Sequence, residues 1–589
     1  MLTNITSIIL LTYNKLEYTQ ACINSIRQYT PRGTYQLIVV DNNSTDGTRE
    51  WLAEQTDVLT IFNEENVGFP KGCNQGIEVA TGDSILLLNN DVLVTDQWLT
   101  LMNDCLYSSD DIGAVGPVTN SAYGDQEVLA NYSTLEEMWD FANSYNSSSA
   151  PKWEQRLKLI GFCMLIKKEV VEKVGLLDEM FSPGMCEDSD YSVRIMQTGY
   201  KLMLCQNVFI HHFGSTSFGE MPEQRQQLWN KNRVLFEEKW GFHTAHHMQP
   251  REDLIDLMNE EDADRSLNIL DVGCACGATL LKAKYKFPKS NLQGIEKNES
   301  AASIAKLVCD VIARDAEHYS YPEGYYDYIL LGDVIDQLVD PEMVLKKLVA
   351  SLKPGGKMIA SIPNSTHYSV IYSLLKNDTL YSGGVVNRSS LHLYSLPEIQ
   401  KLFLEAGFTE IRYKTVQSTM TDIEEGFVGH LSSLVNLEDN NHLKSVKYLI
   451  RASRTSESDT PQLEELLKRV GKEDSSDAIS LIVGMIKNHE IDNRDIIRVI
   501  HTVSIDKQQV FNILATSFFA QGLFNDIIPL LNASLEIDSR HHDTLYNYAY
   551  VLYQIGAHDQ ALHYLNAIDV RDDASNQLLE IIMRALNSI

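Results

Sequence analysis

The sequence predicts an α/β chain of more than one unit that ends in an all-α region, and three observations carry that reading. Apolar runs of strand length alternate with helix-like stretches, and several stop abruptly in polar residues, as in Ser84-Ile85-Leu86-Leu87-Leu88-Asn89-Asn90-Asp91. The same alternation resumes after residue 265 around a glycine-rich turn. Past residue 440 it gives way to helical stretches, two of which repeat at a spacing of 34 residues. With about 100–200 residues per domain, 589 residues provide for three or more cores.

The first strand, Ser7-Ile8-Ile9-Leu10-Leu11, runs into Thr12-Tyr13-Asn14, and a helix-like stretch follows from Tyr18 to Tyr29. A second strand, Tyr35 to Val40, ends in Asp41-Asn42-Asn43-Ser44-Thr45-Asp46-Gly47-Thr48. Strands that end in polar residues and alternate with helices put a ligand at the carboxyl edge of a mostly parallel sheet. Asp91, delivered by the Ser84–Leu88 run, is there the first candidate for a hard divalent cation, since carboxylate oxygens suit such ions. The structural alternative is an Asx turn or a helix cap for Asp41 and a turn for the Asn89-Asn90-Asp91 cluster.

Gly161 to Lys167 reads as a further strand, and Glu187-Asp188 open a helix, where carboxylates are also favoured by the dipole alone. Val208-Phe209-Ile210-His211-His212-Phe213-Gly214-Ser215 is a strand ending in two histidines, of which His212 lies nearer the glycine turn. A helix from Gln224 to Trp240 follows, and His243, His246 and His247 beyond it read as solvated residues of a polar connector.

Thr12-Tyr13-Asn14, Val40 to Thr48, Asn66-Val67-Gly68-Phe69 with Asn74-Gln75-Gly76, Leu88 to Asp91, and Glu187-Asp188 occur in the order that resembles family 2 glycosyltransferases of the GT-A type. The likeness spans roughly the first 240 residues and is strongest to the branch of rhamnosyltransferases and other builders of bacterial surface glycans. It implies a nucleotide-sugar donor, with Thr12, Tyr13, Asn14, Asp41 and Asn90 in its binding site. Asp41 would accept the imide N–H of the base, and Tyr13 would stack on it. Asp91 and His212 would hold Mn or Mg, although Asn89 stands where the family often has another carboxylate. Asp188 would be the general base and Glu187 would orient it or the acceptor, in a single displacement with inversion.

The second unit begins at Leu267-Asn268-Ile269-Leu270-Asp271-Val272-Gly273-Cys274-Ala275-Cys276-Gly277 and has Glu296 at the end of its next strand, 25 residues after Asp271. With Ala313 to Glu317, Tyr326 to Leu338 and Leu352 to Lys357, it resembles class I S-adenosylmethionine-dependent methyltransferases over about residues 265 to 412. The resemblance implies S-adenosylmethionine as cofactor: Asp271, Gly273 and Gly277 would form its loop, Glu296 the ribose contact and Asp315 the adenine contact. Ala275 replaces the usual middle glycine, and Gln337 stands where many relatives have a histidine that could accept a proton.

In the third region Leu514-Ala515, Gly522, Ile527 and Leu531 recur as Tyr548-Ala549, Gly556, Ala561 and Leu565, a 34-residue period that resembles tetratricopeptide repeats. Helices are expected at about Asn441–Ala452, Pro461–Val470, Ser476–Asn488 and Asp492–Val503, with the polar run from Ser453 to Thr460 a loop among them. Stacked helical pairs make a surface for a protein partner or acceptor, or for stabilisation alone.

The expected domains are therefore 1–245, 266–415 and 441–589, joined by connectors at 246–265 and 416–440. A net charge of −31 weighs against a nucleic-acid partner, which would want a basic face, and none is expected. No apolar run reaches 18 residues, and no basic segment precedes the first strand, so the expectation is a cytoplasmic protein with no membrane span. Nine scattered cysteines, all before residue 310, read as reduced thiols. The expected function is sugar transfer to a bacterial surface glycan or a protein such as flagellin, with O-methylation of the product as a second activity. The alternative is a binding scaffold with a degenerate methyltransferase unit.

Overall fold

The computed structural model describes residues 4–122, 124, 126–146, 152–214, 222–378, 384–435, 440–453, 459–470, 475–487, 491 and 493–586. Ser215 of the histidine motif, Asn488, Asp492 and most of the polar run after Ser453 fall outside them.

The amino-terminal unit is a nine-stranded mixed sheet in the order β3-β2-β1-β4-β8-β6-β9-β5, with β7 paired to β9. The strands are β1 Thr6–Thr12, β2 Tyr35–Asp41, β3 Val58–Phe62, β4 Ser84–Asn89, β5 Val92–Leu93, β6 Ile112–Thr119, β7 Trp153–Arg156, β8 Cys163–Lys167 and β9 Lys201–His212. The strands β3, β2, β1 and β4 are mutually parallel, and β8 joins β4 antiparallel. Runs such as Ile8-Ile9-Leu10 and Ile85-Leu86-Leu87-Leu88 are buried along their whole length because helices cover both faces. The register sets Thr12 beside Asp41 and Leu11 beside Asn89, so the three polar strand ends share one edge.

The middle unit is a seven-stranded sheet in the order β12-β11-β10-β13-β14-β16-β15. Its strands are β10 Asn268–Val272, β11 Asn291–Glu296, β12 Asp310–Ala313, β13 Tyr326–Gly332, β14 Leu352–Pro363, β15 Glu410–Gln417 and β16 Ser445–Ser453. All are parallel as far as β14, and β16 runs antiparallel to both β14 and β15. The helix through Leu402 spans Leu396–Ala406 and ends at Gly407 in the left-handed conformation.

The helix expected at Asn441–Ala452 is overturned. Only Asn441–Lys444 is helical, and Ser445–Ser453 is a strand with Tyr448, Leu449, Ile450 and Ala452 buried. Nine residues of mixed apolar and polar type satisfied a helical pattern, but the open side of β14 offered a full ladder of backbone partners. The middle sheet therefore extends beyond residue 415, and the polar run after Ser453 leads from a sheet into helices.

The carboxyl-terminal region is all helical from Asp459 on among the described residues, with helices Asp459–Val470, Ser476–Lys487, Asn493–Thr502, Lys507–Ala520, Ile527–Ile537, His542–Gln554, His558–Asn566 and Asp573–Leu586 around one core. The spacing seen in sequence is visible in the backbone: Gly522 and Gly556 both end a helix with φ near +80° (75° and 83°).

The two sheets do not stand apart. Phe242 and Met248 of the connector join Val170 and Ile195 of the first unit and Ala278, Leu281, Ala301 and Ile304 of the second in one apolar cluster. This corrects the reading of the connector histidines as solvated. His243 is half-buried and accepts a hydrogen bond from Arg233 Nε at 2.9 Å, and burial lowers its pKa to about 4. His247 is half-buried as well, and of the three only His246 is exposed.

Candidate active sites

Asp41, at the end of β2, is fully buried. Its Oδ2 accepts the Ser44 amide at 3.1 Å, the Asx turn that sequence offered as an alternative, and lies 3.4 Å from Arg49. Its Oδ1 is buried without a hydrogen-bond partner among the described residues, so the turn leaves one acceptor over. Tyr13, one residue past Thr12, the register partner of Asp41, is 45 % exposed and so leaves an aromatic ring accessible. Asn14 instead serves the loops: its Oδ1 accepts the Thr45 amide at 2.8 Å, and its N–H donates to Ser44 Oγ at 2.7 Å. Thr12 and Asn90 form the floor, with Asn90 Nδ2 donating to Thr12 at 3.3 Å and to Thr19 at 3.0 Å.

Asp91 and His212 meet across the β5–β9 pairing, where Val92 is the register partner of His212. Asp91 Oδ1 lies 3.2 Å from His212 Nε2. His212 Nδ1 is 2.7 Å from the Ser121 carbonyl, which can only accept, so the ring's proton sits on Nδ1 and Nε2 turns a lone pair toward a carboxylate. Two acceptors facing each other require a proton or a cation between them. Burial disfavours the charged ring, yet the bond to Asp91 with its charge and the Ser121 carbonyl together raise its pKa. The pair thus fits a hard cation held by one carboxylate oxygen and one imidazole nitrogen. Among the described residues no group of three or more His, Cys, Asp or Glu side chains is gathered for a metal, so the remaining ligands would be the donor's phosphates or water. His211 is committed elsewhere: its Nδ1 is 2.6 Å from the Tyr132 hydroxyl, and burial lowers its pKa to about 4.

Glu187 and Asp188 open the helix Glu187–Gln197, which we call the acid helix, and they differ in environment. Asp188 Oδ2 accepts the Gly161 amide at 3.1 Å, and Oδ1 accepts the Ser189 amide at 2.6 Å, so two backbone donors fix its plane. Glu187 is buried, its Oε2 has no hydrogen-bond partner among the described residues, and burial together with the charge of Asp188 raises its pKa to about 8. The two halves of the site touch through residues 161 and 162. Gly161 binds Asp188, and Phe162 stacks on His212 with ring centroids 5.3 Å apart.

In the middle unit Gly273 and Gly277 adopt φ of +72° and +85°, and a Cβ on Gly273 would lie 2.5 Å from Val334, so this turn admits backbone where a side chain would not fit. Ala275 sits at φ +51° without that freedom. Its amide donates to Glu296 Oε2 at 2.8 Å, while the Asn298 amide donates to Oε1 at 2.7 Å. Each carboxylate oxygen keeps a further lone pair, so Glu296 can still accept from a ribose diol. Asp271 is buried, which raises its pKa to about 7. Asp315 is exposed and caps a short turn through the Glu317 amide at 2.8 Å. Gln337 donates to the Asp333 carbonyl at 2.6 Å and is a structural residue of its turn. The loop and the Glu296 acceptor fit an adenosyl cofactor.

Several residues were not singled out from sequence. Asn232 Nδ2 lies within 2.7 Å of the Phe181 and Gly184 carbonyls just before the acid helix, and no local pattern announces it. Asp190, fully buried, binds Arg194 at 2.9 Å, and here the i, i+4 spacing of opposite charges was a readable signal.

Residues 7–175 match the sequence profile described as "Glycosyl transferase family 2", and residues 244–413 match one described as "Methyltransferase domain". The chain joins a family 2 glycosyltransferase domain to a methyltransferase domain. Among curated proteins it is 28% identical to the glycosyltransferase AglE of Haloferax volcanii over 243 residues, 39% of this chain and 75% of that protein. It is 29% identical to the ubiquinone biosynthesis O-methyltransferase of Marinobacter nauticus over 120 residues, 18% of this chain and 48% of that one. Among solved structures, the mannosyltransferase PcManGT from Pyrobaculum calidifontis, in complex with GDP-Man and Mn2+, is 20% identical, covering 35% of this chain and 56% of its own with a TM-score of 0.27. This chain therefore spans little more than half the length of that structure and less than half of the Marinobacter enzyme. Among the described residues no helix is long and apolar enough to cross a membrane.

Proposed function

We propose that the amino-terminal domain transfers a hexosyl or rhamnosyl group, with inversion, from a nucleotide-sugar to a hydroxyl of a surface glycan or a glycosylated protein, and that the middle domain O-methylates the product. The observation that carries the first part is the junction at Gly161-Phe162, where one turn contacts both the Asp91–His212 pair and Asp188. A cation site and a carboxylate base on opposite sides of one turn suit a reaction that separates a diphosphate from a sugar while deprotonating an attacking hydroxyl.

In this mechanism the spare Oδ1 of Asp41 accepts the base's imide N–H and Tyr13 covers the ring. Asp91 Oδ1 and His212 Nε2 would hold the metal, which when bound neutralises the leaving diphosphate. Asp188, held in plane by Gly161 and Ser189, takes the acceptor's proton as its oxygen attacks the anomeric carbon from the face opposite the diphosphate. Glu187, protonated near neutral pH, donates a hydrogen bond toward acceptor or base without adding a second negative charge. The methyl-transfer half rests on the Gly273–Gly277 turn and Glu296. The likeness to a methyltransferase acting on oxygen favours a hydroxyl as acceptor. In this reading the chain works in the cytoplasm on a lipid-linked or growing glycan.

Screening nucleotide-sugars by thermal shift, with and without Mn²⁺, tests the reading. A nucleotide-sugar at about 100 times its Kd should add about 2.7 kcal/mol, and only with the metal present. No shift with any nucleotide-sugar, combined with no hydrolysis of donors, would favour a scaffold.

A further inference from the structure

The acid helix is held from two directions, and one of them leads into the methyltransferase domain. Asp190, two residues past the candidate base, accepts the Trp240 indole N–H at Oδ1 over 2.9 Å and Lys239 Nζ over 2.5 Å. Trp240 ends the helix Pro222–Trp240, and Gly241 stops it in the left-handed conformation at φ +75°. Gly241 is pressed against the other domain so closely that a Cβ there would lie 2.7 Å from Ser300 Oγ. Its carbonyl accepts Asn298 Nδ2 at 2.8 Å. Asn298 is also the cap of the helix Glu299–Ala305, its Oδ1 accepting the Ala301 amide at 3.0 Å, and its own amide donates to Glu296.

We propose that Trp240 and Asn298 are positioning residues for sugar transfer, so that the glycosyltransferase site is complete only when the methyltransferase domain is docked against it. The inference rests on the proposed role of Asp188, and it assigns the second domain a duty independent of methyl transfer. Asn298 uses one end of its amide to cap its own helix and the other to fix Gly241. The residue before Gly241 then fixes Asp190, and with it the first turn of the acid helix on which Asp188 is aimed. A path of three hydrogen bonds and the Trp240–Gly241 peptide link runs from the cofactor-side carboxylate Glu296 through Asn298, Gly241 and Trp240 to Asp190 on the acid helix. The shared apolar cluster keeps both ends from drifting apart.

The test uses the full chain and two conservative variants. Asn298→Ser keeps a capping oxygen but loses the donor to Gly241, and Trp240→Phe keeps the ring but loses the donor to Asp190. Each should lower kcat for sugar transfer by about ten- to hundredfold with donor KM unchanged, since misplacement of a reacting group by about 1 Å can cost about 10²-fold. The double variant should be no worse than the more damaging single one, because both cut the same link. Amide hydrogen exchange gives a readout that needs no activity: Asn298→Ser should speed exchange in residues 184–190, in the other domain. Unchanged exchange there, or effects on kcat that multiply in the double variant, would overturn the proposal. A wild-type chain that transfers no sugar would sink the proposed function instead, and the exchange arm would still decide whether the link exists.

Discussion

Glu187→Gln isolates what the buried carboxyl contributes, because the amide copies the protonated form in shape and charge. In the folded chain burial and the charge of Asp188 move Glu187 from its ordinary value of 4.5 up to about 8. Folding therefore retains a proton that the unfolded chain releases, and stability falls as pH rises from about 4.5 to about 8 and remains lower above it. At about 1.4 kcal/mol per tenfold displacement, the penalty reaches about 4–5 kcal/mol once the group is ionised. The orphaned Oε2 gives that penalty a structural cause, since an ionised Glu187 has a buried oxygen with no donor. Glutamine at 187 should thus match the wild type near pH 5 and exceed it at pH 9, by an amount equivalent to about 10 °C in the melting of this domain. Scanning calorimetry at pH 5, 7 and 9, following the transition that a nucleotide-sugar displaces, measures it. A stability difference that is the same at all three pH values, or a variant less stable at pH 9, would refute the assignment of Glu187 as a carboxyl kept neutral by its surroundings.

Other outcomes follow from the same geometry. Asp188→Asn should keep nucleotide-sugar affinity and lower turnover by about 10²–10⁴-fold, whereas near-normal turnover with a small loss of stability would leave Asp188 a helix-end residue. Asp91→Ala should abolish the Mn²⁺-dependent part of nucleotide-sugar binding in a thermal-shift titration, with a smaller loss in His212→Ala and none in His211→Ala; undiminished activity in excess EDTA would remove the metal from the scheme. Calorimetry with S-adenosylmethionine should show binding that Glu296→Ala loses or greatly weakens, and no heat from the wild type would leave the middle domain a docking surface.

Most of the first sheet was legible because its strands are continuous apolar runs closed by polar residues, a pattern with few alternative uses. Asp41, Asp91 and Asp188 could be singled out because each sits where such a run or a helix begins or ends. The expectation of His212 over His211 came from the adjacent glycine, and the two rings do differ in the structure: Tyr132 bonds the His211 ring and the Ser121 carbonyl orients that of His212. Other features were not legible. Ser445–Ser453 has no strict alternation, and its state is decided by an open strand edge some 90 residues earlier in the chain. The contacts of Asn232, Trp240 and Asn298 depend on how helices and domains meet, which local patterns do not encode. His243 and His247 looked solvated for the same reason, since the groups against them, Arg233 and Phe242, are brought there by tertiary packing.

The position of β16 also orders events during synthesis. Among the described residues β15 pairs with the rest of the middle sheet only through β16, although β15 ends at Gln417 and β16 begins at Ser445. As the chain leaves the ribosome, β15 is made before the strand that will join it to the sheet, and β14 waits with an open edge over the same interval. The glycosyltransferase sheet, complete by His212, can close long before. A chain cut at residue 440, where the helical region would be trimmed on sequence grounds, would thus lose the central strand of an antiparallel trio and expose two edges to other chains. Any shortened form meant to retain both sheet domains has to run past Ser453.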